Sequence, residues 1–155
     1  MASDYLEDWR AALRLRDSLE AGHIPLTRFN DVAAEATYCS LACRCEELVG
    51  APLALANSDP RTHAAAMNWR HLGTGTLVLS QFRLWLAESP DISFGWDGLQ
   101  RLWAEPGCLR LAYGSRDFRL VVHCPVWLSV MVFIAAFHAI PELHPPQHVI
   151  KELGG

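Results

Sequence analysis

Four groups of residues carry types and spacings that could do chemistry. Val122–His123–Cys124 followed by Pro125 would put a thiol between a strand-like run and the start of an apolar segment. A thiolate attacking phosphate needs an arginine six residues on, and glycines whose loop N–H groups converge on the anion. The sixth position here is Val130, and PVWLSVM over 125–131 contains neither Gly nor Arg. Gly73–Thr74–Gly75 resembles a phosphate cradle in composition alone. Such a loop must follow a strand and open a helix, with Lys-Ser/Thr after it, whereas a β-rich run follows here. The glycines are therefore expected to turn the backbone into a strand. Cys39, Cys43 and Cys45 form the third group. On a helix the first two would share a face, but a structural zinc site wants four ligands in two close pairs, and no Cys-x-x-Cys occurs. No metal and no cofactor is expected. No acidic pair stands beside a general base, so no catalytic residues are assigned and the chain is not expected to be an enzyme.

The fourth group is the arginines. Arg83, Arg116 and Arg119 lie in alternating runs that would place them on an outer sheet face or a rim, where basic side chains meet anionic lipid headgroups. Ordinary solvated strand faces use the same pattern. With 13 Lys+Arg against 17 Asp+Glu, a formal charge of −4 and Lys151 the sole lysine, the chain lacks the basic face that nucleic-acid binding requires. Five cysteines, an odd number, and the polar, acidic start MASDYLEDWR read as reduced thiols in the cytoplasm, with peripheral membrane contact as a variant.

The elements that must position these residues follow from periodicity. Residues 3–21 read as an amphipathic helix capped by Ser3 or Asp4, with Leu6, Trp9, Leu13 and Leu19 along one face and Gly22 ending it. Residues 31–49 read as a second helix between Asp31 and Gly50, which with the first would form a hairpin. Residues 23–30 read as a connector and 51–62 as a loop. From Gly73 to His123 the pattern changes to short alternating runs at 76–80, 82–87, 92–96, 99–103, 109–113 and 118–123. Turn signals at 89–91, 105–107 and 114–117 separate them. Consecutive strands without intervening helices argue for an antiparallel barrel or sandwich. Pro125 opens a last apolar helix that Pro141 stops.

Gly75–Thr76–Leu77–Val78–Leu79–Ser80 with Phe82–Arg83–Leu84–Trp85–Leu86, then Ile92–Ser93–Phe94–Gly95–Trp96, Leu109–Tyr113 and Arg116–Asp117–Phe118–Arg119, resemble in order and spacing the PH-like superfamily. The likeness is to GRAM and bacterial PH-like domains, and the last piece resembles the PH-GRAM domain of myotubularins. The resemblance covers about residues 70–140. It implies an α+β fold: an antiparallel PH-like β-barrel or sandwich capped by a C-terminal helix and preceded here by the helical hairpin. It also implies a non-catalytic module that binds phosphoinositides in some families and proteins in others. The organisation expected is a helical arm over 1–65, the PH/GRAM-like domain over 66–141 and a tail over 142–155.

Residues 120–140 are mostly apolar and carry no formally charged side chain apart from His123 and His138. One reading is a bilayer span anchoring the chain. The other is a strand end followed by a helix too short to span. That helix is apolar all round, so it must be buried on more than one side. Its second face, with Trp127, Val130, Met131, Ile134 and Phe137, would meet either the N-terminal helix or another protein. The functional expectation is a binding or scaffold module with a protein partner or a second copy of itself, and with weak anionic-lipid contact as an addition.

Overall fold

In a computed structural model of the chain, residues 2–21, 30–32, 35–49 and 68–153 are described. Helix α1 spans Ala2–Glu20. Strand β1 (Asn30–Val32) pairs with β2 (Glu35–Leu48), and six further strands follow: β3 (Trp69–Ser80), β4 (Arg83–Leu86), β5 (Ser89–Gly95), β6 (Leu99–Glu105), β7 (Cys108–Tyr113) and β8 (Arg116–Val121). A 3₁₀ turn over Trp96–Gly98 links β5 to β6. Helices α2 (Pro125–Phe137) and α3 (Gln147–Glu152) close the order. All strand pairs are antiparallel, and the path runs β5-β4-β3-β2-β8-β7-β6 with β1 beside β2.

The chain is thus α+β, but it has no N-terminal helical hairpin. Residues 35–48, expected as a helix, form the central strand. Their Ala and Glu content favours a helix locally. Pairing on both sides, with β3 from Thr37 to Leu48 and with β8 from Arg44 to Glu47, overrides that preference. A boundary at 65/66 would separate β2 from both β3 and β8, with which it pairs. The expected connector at 23–30 lies, but for Asn30, outside the described residues, as do the loop at 51–62 and the stops at Gly22 and Gly50.

Period-two alternation puts Cys43, Cys45, Leu77, Leu79, Leu84, Leu86, Phe94, Leu109, Leu111, Phe118 and Leu120 on one face, where they bury against Leu128, Met131, Val132 and Ala135 of α2. A second apolar cluster joins α1 to α2 and α3 through Trp9, Ala12, Val126, Val130 and Val149. Phe82 departs from the expected strand: it sits in the β3–β4 turn, 57% exposed.

Gly73 and Gly75 lie inside β3 rather than at a turn into it. A Cβ on Gly73 would stand 2.8 Å from Ile92 Cδ1, and one on Gly75 would collide with Glu88 Oε2. The glycines let these side chains approach the backbone. The Glu88 carboxylate uses the space to accept the Thr76 N–H at 2.7 Å and the Thr76 hydroxyl at 3.0 Å.

Candidate functional site

A cavity of about 670 Å³ opens where α1, the β6–β7 turn, the link from β8 to α2, and α3 meet. Each wall has a local cause. Tyr5 and Leu6 come from the first turns of α1. Pro106 and Gly107 form the β6–β7 turn, and Gly107 holds φ at +85°, a conformation that glycine adopts without strain. Val122 and Pro125 flank the point where β8 gives way to α2. His148 stands on α3 and stacks on Tyr5 with ring centroids 6.2 Å apart. Asp4, Asp8, His123 and Glu152 add polar groups to this mostly apolar surface. A smaller cavity of about 360 Å³ shares Asp4, Asp8 and His123 and adds Glu7, Ala11 and Cys124. The two form one cleft along α1.

Asp8 organises the floor. It is 4% exposed, and its carboxylate accepts the backbone N–H of Val126 at 2.7 Å and of Trp127 at 2.8 Å. These are two of the orphan donors at the start of α2, whose own N-cap residue, Cys124, makes no side-chain cap. Burial pushes the Asp8 carboxyl above its ordinary range, against the two backbone N–H groups that hold it down. Cys124 is raised to about 11, first by burial and then by the Asp8 charge. Its thiol is therefore protonated at neutral pH, the opposite of what a nucleophile needs.

The arginines named from the sequence do not come together. Arg116 and Arg119 are an odd number of residues apart on β8 and so project to opposite faces. Arg116 pairs with Glu47, which also holds Arg70. Arg119 pairs with Glu46. Arg83 lies 4.3 Å over the Trp85 ring and donates to Ser93 Oγ at 3.3 Å. The expected lipid-binding group is thus split, and Arg116 and Arg119 are charge-compensated. On the outer face Arg119, Trp69, Arg110, Trp103 and Arg101 instead form an alternating stack, with guanidinium-to-ring distances of 4.3, 4.8, 5.0 and 5.1 Å. Glu105 accepts from both Arg110 and Trp103 at 3.0 and 3.1 Å.

The interface residues divide. Val130 is fully buried in the α1–α2 cluster, and Met131 is 3% exposed in the main core, so neither offers a surface to a partner. Of the two alternatives for the second face of α2, α1 covers it. Trp127 and Ile134 are half-buried. Phe137 is 44% exposed and packs edge-on against Phe133 at 4.9 Å.

No protein-family model, curated protein or solved structure matches the chain. The cleft therefore has to be read from its own geometry.

The three clustered cysteines sit on a strand, not on a helix. On β2, Cys43 and Cys45 share the core-facing side rather than diverging as on a helix, and burial raises Cys39, Cys43 and Cys45 to about 12. Among the described residues no group of three or more His, Cys, Asp or Glu could hold a metal ion. Residues 120–140 divide between the end of β8 and the 13-residue α2. At 1.5 Å per residue that helix is about 20 Å long, short of the roughly 30 Å of a hydrocarbon core. Among the described residues no helix is long and apolar enough to cross a membrane, so the bilayer-span reading of this segment falls.

The cleft was not found from sequence. Its residues come from both ends of the chain and from two turns, and no local pattern joins them. The one available signal was Asp8, an acid on the inward side of α1 beside Trp9 with no local reason to be buried.

Proposed function

We propose that this chain is a non-catalytic binding module on a PH-like scaffold, and that its ligand-binding surface is the cleft between α1, the β6–β7 turn and α3. The observation that carries the reading is the cavity of about 670 Å³, with apolar walls and a few polar groups at its floor and rim. This is the form ligand sites take. The scaffold part is supported by the consecutive antiparallel strands from β3 to β8 and by a helix that follows the last strand and packs on the sheet, while β2 lies outside the stretch that carries the resemblance. Consecutive antiparallel strands followed by a covering helix are what the PH-like resemblance implies for residues 70–140. The non-catalytic part is supported by the chemistry of the groups present. The Cys124 thiol stays protonated, and the Asp8 carboxylate is engaged by two backbone N–H groups. A protein ligand fits better than a lipid headgroup, because Arg116 and Arg119 face apart and are each paired with a glutamate.

Amide-detected NMR with a library of small organic fragments tests the proposal. Fragments are expected to shift residues Tyr5, Leu6, Gly107, Val122 and His148 together. Fragments that bind elsewhere and leave these amides unmoved would remove the cleft as the site.

A further inference from the structure

Among the described residues that line the cleft, carboxyl side chains outnumber basic ones. Asp4, Asp8 and Glu152 line the larger cavity, and Glu7, which pairs with Arg10 at 2.9 Å, joins them in the smaller one. Histidines 123 and 148 are the only basic types among the lining residues. The start of α2 opens beside the cleft, and a helix N-terminus is ordinarily a site for an anion. That capacity is already taken, because Asp8 occupies the Val126 and Trp127 N–H groups. An incoming phosphate or carboxylate would meet the Asp8 carboxyl oxygens instead of free donors. The apolar walls, meanwhile, suit aliphatic or aromatic side chains.

From this we infer that the cleft takes a short peptide segment of a partner protein, with apolar side chains against Tyr5, Leu6, Val122 and Pro106 and a Lys or Arg side chain at the acidic rim near Glu152. Charge complementarity selects this occupant over an acidic peptide or an anionic headgroup. The inference rests on the cleft being the ligand site.

The test pans a random displayed peptide library on the full chain and measures selected peptides by fluorescence polarisation. Each basic residue is then exchanged for Gln or Glu. Amide shifts on the unsubstituted protein locate each peptide, so no destabilising variant is needed for that step. Glu152→Lys, at an exposed position of α3, reverses the rim charge. Selected peptides are expected to combine apolar residues with Lys or Arg and to bind about tenfold more weakly to Glu152→Lys. Affinity should return when the peptide's basic residue becomes Glu. Peptides that shift the cleft amides but ignore the charge reversal would overturn the cationic ligand and leave the cleft standing. Peptides that shift no cleft amide would overturn both. So would a chain that selects no peptide yet floats with phosphatidylserine vesicles.

Discussion

Asp8 on α1 accepts the backbone N–H of Val126 at 2.7 Å, across a separation of 118 residues. A helix at one end of the chain thereby caps a helix near the other, and does so at the floor of the cleft. Replacing Asp8 by Ala leaves two buried donors without partners, which costs about 1–3 kcal/mol each when no water replaces the carboxylate. Asp8→Ala is expected to lower the thermal midpoint clearly, and Asp8→Asn, which retains one acceptor oxygen, to lower it less. Differential scanning calorimetry of both variants checks the order.

Glu47 gives the chain an acid limit. The side-chain bond from Arg116, with help from Arg70, holds its carboxyl at about 2 against an ordinary 4.5. A depressed carboxyl contributes stability that is full above its unfolded value and is lost as pH falls toward the folded one. Wild-type stability is therefore expected to fall between pH 4.5 and about 2. Glu47→Gln should be less stable at neutral pH and flatter across that window, as read from urea unfolding at stepped pH.

The Arg–Trp stack makes a third prediction. Arg110 lies between Trp69 and Trp103, at 4.8 and 5.0 Å. Partly exposed guanidinium–indole contacts contribute about 0.5–2 kcal/mol. Arg110→Ala should cost roughly one to two such contacts in chemical unfolding and shift tryptophan emission to the red as both rings gain water. Unchanged emission would mean the rings are held by the sheet alone.

Gly73→Ala and Gly75→Ala separate two kinds of close approach. The first places a methyl against Ile92 in a packed region, and overpacking costs about 1–3 kcal/mol. The second displaces Glu88, an exposed side chain that can swing away, so its loss is limited to the Thr76 bonds. Urea midpoints should fall further for Gly73→Ala than for Gly75→Ala.

Val130→Asp and Phe137→Asp test which part of α2 is surface. Val130 is wholly enclosed, and an unpaired carboxylate there costs several kcal/mol, enough to unfold a domain of ordinary stability. Phe137 is 44% exposed, and its replacement should leave the far-UV spectrum intact. Sedimentation of Phe137→Asp beside the wild type then reads any self-association through that position.

The strands from β4 to β8 were legible as short runs of β-forming residues between turn signals, and in β8 a buried face alternates with a more exposed one. Turn residues such as Pro106–Gly107 and Gly114 mark the reversals. The same argument failed at β2. EATYCSLACRC carries small and acidic residues with Cys39 and Cys43 four apart, a pattern as compatible with a helix as with a strand. Cys43 and Cys45 were weighed as ligands for their thiols and spacing, whereas in the sheet they are core-facing side chains.

Residue order by itself determined that the middle of this chain forms consecutive antiparallel strands. It also determined that residues 125–137 form a helix needing cover on two sides, and that no dense basic face exists. These are properties of local patterning and summed charge. Only the tertiary structure decided that β2 joins the two halves of the sheet, that α1 covers α2, and that Arg116 and Arg119 face apart. The same is true of Asp8, Val122 and His148, which meet around one cavity. Each of these depends on contacts between segments far apart in sequence, and their energies come from pairing, burial and desolvation that exist only once the sheet has closed on α2.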